Sequence, residues 1–127
     1  MRTRGTRRNL FACDSGAAAL EFAIVGPVFI MLTMGVIYLG LLLFSMASMQ
    51  FAVEEGARCA SVKTNVCTDG PTTVNYTKAA YYGPLAAPTF TYANAACGHS
   101  VSSSNSFALF IGFTTLTVPL SAAACYP

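Results

Sequence analysis

The sequence predicts an α+β fold in which a long N-terminal transmembrane helix is followed by a small, disulfide-linked antiparallel β domain. The first observation is composition: 9% of the 127 residues are charged and 54% are hydrophobic, whereas an ordinary soluble domain carries about 25% charged residues. The second is one long apolar run near the N-terminus, and the third is a C-terminal part with spaced cysteines and short alternating segments. The length allows one small domain plus one further element.

The chain divides into three predicted segments. Residues 1–16 form a basic leader with four arginines and one aspartate, residues 17–62 form a long helix, and residues 63–127 form a small head. The positive-inside rule places the leader in the cytoplasm and the head on the other side of the membrane. Seven Lys and Arg residues in the whole chain are too few for a phosphate-binding surface, so no nucleic-acid partner is expected.

The membrane span is predicted at about residues 22–44, a run without Asp, Glu, Lys or Arg. About 20 apolar residues are enough for a helix to cross the hydrocarbon core of a bilayer. A buried helix of a soluble protein is disfavoured, because so small a chain has no core that could enclose this run. Gly26-Pro27 interrupts it and predicts a kink, since proline removes a backbone donor. A tolerated membrane proline and a site of local melting both remain open.

Spacing disfavours two kinds of N-terminal processing. A secretory signal peptide has an apolar core of about 7–15 residues before its cleavage site. Cleavage after Ala47, in Ser45-Met46-Ala47, would follow an apolar stretch that is too long. A lipoprotein would use Cys13, but no apolar segment precedes that cysteine.

One carboxylate stands at the head of the apolar run. Gly16 ends the leader, small and apolar residues follow, and Glu21 and Phe22 lead into the run. A carboxylate in a membrane helix costs up to about 3 kcal/mol at the bilayer centre and less near the interface. Glu21 either marks the interface by snorkelling or has a role in assembly.

These residues resemble a known family. Gly16, Glu21 and Phe22 look like the type IV prepilin cleavage site, and the stretch GAAALEFAIVGPV is similar to TadE-like pseudopilins of the tight-adherence (Tad) pilus. The likeness continues to ARCA near the end of the helix and reappears in the tail SAAACYP. Phe22 stands where the major Tad pilins usually carry tyrosine, which favours a minor pseudopilin.

The resemblance implies a maturation step and a function. A prepilin peptidase would cut between Gly16 and Ala17, and Glu21 and Phe22 would serve assembly, Glu21 by neutralising the N-terminal amine of a neighbouring subunit. The implied function is that of a minor pseudopilin in pilus assembly and surface adhesion. It would sit in the bacterial inner membrane with a periplasmic head and, after assembly, in the extracellular pilus. The implied partners are the prepilin peptidase, other pilins and pseudopilins, the inner-membrane assembly platform and membrane lipid; no cofactor is expected.

The helix is predicted to continue beyond the membrane. Residues 45–62 carry apolar and small side chains at spacings of three and four, which indicates a helical stripe. Small residues at Ala52, Gly56 and Ala60 would let another backbone approach closely. A single helix over residues 17–62 gives the stem expected of a pilin.

Four cysteines remain outside the leader, in an oxidising compartment: Cys59, Cys67, Cys97 and Cys125. Three connectivities are open. We favour Cys59–Cys67, which would pin the helix end to the next loop, and Cys97–Cys125, which would tie the C-terminus to a strand. A zinc site is disfavoured, because the chain has no Cys-x-x-Cys pair and only one histidine.

In the head we predict a short helix over 74–82, strands over Thr89–Ala95 and 109–118, and a polar turn over 98–106. These elements would form a hairpin or a three-stranded sheet. Pro119 is expected at an edge or a strand end. The apolar stretch 107–113 is interpreted as core against the stem rather than as membrane contact.

The sequence does not indicate an enzyme. Glu54 and Glu55 are adjacent on a helix and cannot face each other as an acid/base pair, and His99 has no orienting carboxylate nearby. Two other functions rival the pseudopilin. One is an uncleaved, membrane-anchored periplasmic accessory or scaffold protein, and the other is a secreted disulfide-rich binding module released after Ala47.

Overall fold

The structure is a computed structural model that describes residues 14–84, 86–110 and 113–127. Two helices are followed by three strands: α1 (Asp14–Val62), α2 (Gly70–Ala79), β1 (Thr89–Ala95), β2 (Gly98–Phe110) and β3 (Thr115–Tyr126). The long apolar helix and the small antiparallel sheet confirm the predicted α+β class. Most of the predicted leader, including Cys13, lies outside the described residues.

The chain forms two compact units. The first ends at Val36, and its described part is the N-terminal portion of α1. The second unit, Ile37–Pro127, contains the rest of α1 and the head. The described part of α1 begins at Asp14, before the predicted start of the stem, and ends at the predicted residue, Val62.

The three strands form one antiparallel sheet in the order β1-β2-β3. A tight turn at Ala96-Cys97 joins the first two strands. Gly98, directly after this turn, has a φ of 117°, a conformation that glycine adopts without steric cost. A Cβ at this position would lie 2.6 Å from the Cα atom of Pro127. The turn and the C-terminus are therefore closely packed.

The predicted turn at 98–106 is wrong, because these residues form most of β2, the central strand. The predicted strand at 109–118 is displaced as well, since it straddles the end of β2 and the start of β3. Serine favours turns, but in a central strand its hydroxyl can pair across the sheet. The Thr91 and Ser102 hydroxyls form such a hydrogen bond at 2.7 Å. Pro119 lies in the edge strand β3, as expected.

The predicted helix at 74–82 is displaced toward the C-terminus relative to α2. The helix begins earlier because Asp69 caps it: its Oδ1 accepts a hydrogen bond from the Thr72 amide at 2.9 Å. The Thr72 hydroxyl in turn accepts one from the Asp69 amide at 3.1 Å, which completes a capping box. Pro71 is compatible with the first turn, where its missing N–H has no helical partner to lose.

The head packs on one stripe of α1 through two clusters. The upper cluster consists of five buried residues, Ala52, Val53, Ala57, Phe90 and Val101. The lower cluster consists of Met49, Phe107 and Leu120, and the partly buried Tyr38 and Leu42 of α1 pack against it. β2 therefore follows α1 from the upper to the lower cluster, toward the N-terminal end of the helix.

The small residues of α1 permit a close contact inside the chain. A Cβ at Gly56 would collide with the Oγ1 atom of Thr77 and lie 3.2 Å from its Cβ atom. Thr77 is fully buried, and its hydroxyl donates to the Thr73 carbonyl at 2.8 Å. Gly56 thus allows the close approach that its spacing predicts, and the partner is α2 of the same chain.

Candidate assembly helix

The predicted cleavage and assembly residues lie together at the beginning of α1. Gly16, Ala17, Glu21 and Phe22 occupy its first turns, and all four are exposed. A Cβ added at Gly16 would meet no atom within 4 Å. The fold of the described residues therefore places no packing requirement on Gly16.

Ala17 and Glu21 lie one turn apart on the same face of α1, because residues at i and i+4 of a helix are stacked. Glu21 is isolated in charge, since its nearest charged neighbours along the chain are Asp14 and Glu54. A carboxylate moved from water into lipid or a protein interior needs a partner of opposite charge or hydrogen-bond donors. The position of Glu21 thus suits a pairing with a group near a helix N-terminus.

The apolar surface of α1 that follows Glu21 is exposed in the described residues. The most apolar window of the helix is 6% buried. The large exposed side chains along it are Phe22, Ile24, Val25, Val28, Phe29, Ile30, Met31, Leu32, Met34 and Val36. This much exposed hydrocarbon requires lipid or other apolar helices around it.

Two hydroxyl groups of α1 are satisfied within the helix. The Thr33 hydroxyl donates to the Phe29 carbonyl at 2.8 Å, and the Ser45 hydroxyl donates to the Leu41 carbonyl at 2.8 Å. The helix continues through Pro27; the kink there stays a prediction. Internal hydrogen bonding of this kind is what a bilayer core demands of a spanning segment.

α1 is long and apolar enough to cross a membrane. A single membrane span and an N-terminal signal sequence both fit its length, composition and position.

Two disulfides hold the head. Cys59 and Cys67 join the end of α1 to the loop before α2, with Cα atoms 5.8 Å apart. Cys97 and Cys125 join the β1–β2 turn to β3, with Cα atoms 6.2 Å apart and a sequence separation of 28. This pairing is the one favoured above among the three connectivities. The longer loop contributes about 3–4 kcal/mol to stability in the loop-entropy model, which matters for so small a head.

The other polar groups of the head make structural contacts. The Tyr92 hydroxyl forms hydrogen bonds with Asn94 Oδ1 at 2.8 Å and with His99 Nδ1 at 2.6 Å. Within residues 14–84, 86–110 and 113–127, no three His, Cys, Asp or Glu side chains are grouped as metal ligands.

The apolar stretch 107–113 does not all belong to the core, contrary to the prediction. Phe107 is buried in the lower cluster, but Phe110 and Phe113 are exposed. Strand alternation explains the difference, since Phe107 and Leu109 share one face of β2 and Phe110 lies on the other. The sequence prediction misses this alternation because it places the end of β2 in a different strand, 109–118.

These features define a class of small proteins with one long, apolar N-terminal helix and a disulfide-linked head. Residues 16–58 match the family model described as TadE-like protein. This segment of the chain is therefore similar to the TadE-like family, which is pilin-related. The matched segment lies entirely in α1, and α2 and the sheet follow it. No curated protein and no solved structure matches the chain significantly.

Proposed function

We propose that this protein is a minor pseudopilin of a Tad-type pilus, processed after Gly16 and assembled through α1. The observation that carries the proposal is the TadE-like match over residues 16–58, which starts at the predicted cleavage glycine and covers the exposed apolar part of α1. The match includes Glu21 and Phe22, the residues to which we assign assembly. Phe22 in place of the usual tyrosine supports a minor rather than a major subunit.

Cleavage would change both the charge and the ends of α1. Removing the leader takes away four arginines and one aspartate, so the formal net charge goes from +2 to −1. It also creates a new amine on Ala17, one turn before Glu21. The positive end of the helix dipole stabilises a carboxylate in this position. In an assembly, the same carboxylate could neutralise the Ala17 amine of a neighbouring helix.

The proposed location follows from charge and cysteine use. Arginines before the apolar run favour a cytoplasmic N-terminus and a single pass through the bacterial inner membrane. The head would then lie in the periplasm, where disulfides form and persist. Its proposed partners are the prepilin peptidase, other pilins and pseudopilins, the assembly platform and membrane lipid, and its proposed task is fibre assembly and surface adhesion.

One observation favours the alternative of an uncleaved periplasmic accessory or scaffold protein. The described part of α1 begins at Asp14, so the Gly16–Ala17 bond lies within helical structure. Processing requires this first turn to open. Helix ends fray, and a Cβ at Gly16 would meet no atom within 4 Å, so opening is compatible with the described structure.

A secreted module released after Ala47 is less compatible with the fold. That cut would fall inside α1, next to Ser48, whose hydroxyl accepts a hydrogen bond from the Tyr82 amide at 2.9 Å. It would also remove Tyr38 and Leu42, which pack against the lower cluster. Release at Ala47 would therefore take away part of the support of the head.

The deciding measurement is N-terminal sequencing of the protein recovered from cells with an active prepilin peptidase. We expect Ala17 as the first residue, and Gly16→Leu should abolish this product because a peptidase pocket that accepts glycine has no room for an isobutyl group. Gly35→Leu is the matched control, since a Cβ at either glycine meets no atom within 4 Å. An intact leader in the unsubstituted protein would support the scaffold alternative, and Ser48 as first residue would support secretion.

A further inference from the structure

The end of the β2–β3 hairpin is apolar and largely unpacked. Phe110 is 63% exposed, Leu116 is 51% exposed and Phe113 is fully exposed; we name these three residues the hairpin tip. Phe107, three residues before the tip, is buried against α1. Exposed apolar side chains grouped in this way mark a contact with another protein or with a membrane.

The hairpin tip lies toward the N-terminal end of the part of α1 that carries the head. β2 meets the upper cluster at Val101 and the lower cluster at Phe107, where Tyr38 and Leu42 also pack. Strand residues advance about 3.3 Å each, so Phe110 lies about 10 Å beyond Phe107 along the hairpin. The tip therefore extends past the lower cluster.

This position coincides with the predicted outer boundary of the membrane span. About 20 apolar residues cross the hydrocarbon core, and counted from Phe22 they end near Leu41. Tyr38 and Leu42 thus lie at the outer boundary, where tyrosine is typical. We propose that the hairpin tip inserts into the outer-leaflet interface of the bilayer that α1 crosses, so that the head rests on lipid through Phe110, Phe113 and Leu116.

The chemistry of the hairpin suits a lipid interface. From Ala79 to Pro127 the chain has no Asp, Glu, Lys or Arg, so no charged side chain has to lose its hydration on contact. Phenylalanine and leucine are typical of the apolar face of interfacial elements, which is buried about 5–10 Å deep. Pairing of β2 and β3 extends to Phe110 and Thr115. The backbone of both strands is therefore hydrogen-bonded up to these two residues, as an apolar environment requires.

The inference rests on the membrane span that belongs to the proposed function, but on neither cleavage nor fibre assembly. Lipid is the occupant that the observations favour, because the tip is apolar and uncharged and lies beyond the lower cluster, where Tyr38 and Leu42 mark the predicted end of the span. A protein partner would leave the tip in water whenever that partner was absent from the preparation.

Tryptophan fluorescence can locate the tip, because the chain contains no tryptophan. Three single-tryptophan variants of the full chain are placed in phosphatidylcholine nanodiscs whose acyl chains are brominated either near the headgroup or near the bilayer centre. Phe113→Trp reports on the tip, Phe29→Trp on the span and Tyr126→Trp on the opposite end of the same hairpin. Bromine quenches tryptophan at short range, so each lipid reports a depth.

We expect Phe113→Trp to emit at shorter wavelength than Tyr126→Trp and to lose most of its intensity to the shallow bromine but little to the deep one. Phe29→Trp should be quenched by at least one of the two lipids, and Tyr126→Trp by neither. If Phe29→Trp is quenched while Phe113→Trp behaves like Tyr126→Trp, the inference is overturned and the span stands. If Phe29→Trp is not quenched, the span itself fails, and the proposed function with it.

Discussion

At the scale of single residues, Gly56 shows how one missing side chain lets α2 pack on α1. The Thr77 side chain fills the space beside Gly56 and is fixed there by burial and by its hydrogen bond to the Thr73 carbonyl. A methyl group at position 56 would have to displace a β-branched side chain that has few alternative rotamers. The contact therefore depends on the absence of a Cβ, and helix propensity alone would favour alanine.

We expect Gly56→Ala to destabilise the head by about 1–3 kcal/mol, the usual cost of overpacking a core. Thermal unfolding of the full chain in detergent, followed by near-UV circular dichroism of the tyrosines, measures the change. Gly40→Ala is the control, because a Cβ there meets no atom within 4 Å. Adding Thr77→Ala should recover part of the loss, since it removes the colliding atoms. A Gly56→Ala protein as stable as the unsubstituted chain would contradict this account.

At the scale of elements, α2 depends on its N-terminal cap. Hydrogen bonds from the Thr72 hydroxyl and amide stabilise the Asp69 carboxylate and lower its pKa below the ordinary value of 3.8. Because the folded pKa is the lower one, the cap contributes fully above the unfolded pKa and its contribution is lost as pH falls through the folded pKa. Acid should therefore loosen the first turn of α2.

An NMR titration of the Thr72 amide in the detergent-solubilised chain tests the capping box. The amide shift should titrate with an apparent pKa below 3.8, the ordinary value for Asp69. Asp69→Asn should abolish this titration while keeping α2, because asparagine is also a strong N-cap residue. A titration at or above the ordinary value, or an unchanged one in Asp69→Asn, would show that the carboxylate does not hold the cap.

The elements also show which signals the sequence carries. The stem was predictable because 32 successive positions from Phe22 to Val53 lack charge, and no tertiary contact is needed to recognise such a run. β2 was not predictable from the sequence, because its serine-rich segment Ser102–Ser106 is typical of a turn when the neighbouring strands are not known. Ser103 is buried there and pairs with Phe90 on one side and Ala122 on the other. Central strands take their character from such neighbours more than from intrinsic propensity.

The candidate site shows the same contrast between features that a local stretch of sequence indicates and features that depend on tertiary contacts. Gly16 and Glu21 belong to a local motif, so a single stretch of sequence indicated them, and the family match begins at the same glycine. The hairpin tip was not indicated in this way, because it depends on the register of β2 and β3, in which Phe110 pairs with Thr115. The two favoured disulfides lie between these cases, since chain proximity suggested Cys59–Cys67 and strand pairing places Cys97 near Cys125.

At the scale of the whole molecule, the parts separate by charge. Glu21 is the one charged residue between Asp14 and Glu54, residues 79–127 carry no Asp, Glu, Lys or Arg, and four of the seven basic residues lie in the predicted leader, residues 1–16. A stem of this kind can leave lipid for a fibre only if its carboxylate finds a partner in the apolar interior of the assembly. Removing one member of a buried ion pair costs about 3–5 kcal/mol, because the other charge is left unpaired.

Glu21→Gln tests this requirement with little change in side-chain shape. We expect normal processing to Ala17 but at least a tenfold lower share of the protein in sheared surface fibres, since each 1.4 kcal/mol corresponds to about a factor of ten. Glu54→Gln is the matched control, because Glu54 is an exposed glutamate on the same helix beyond the membrane span. Quantitative immunoblots of the fibre and membrane fractions give the ratio. Fibre incorporation of Glu21→Gln at the level of Glu54→Gln would remove the assembly role from Glu21, while a loss of processing would assign it to peptidase recognition instead.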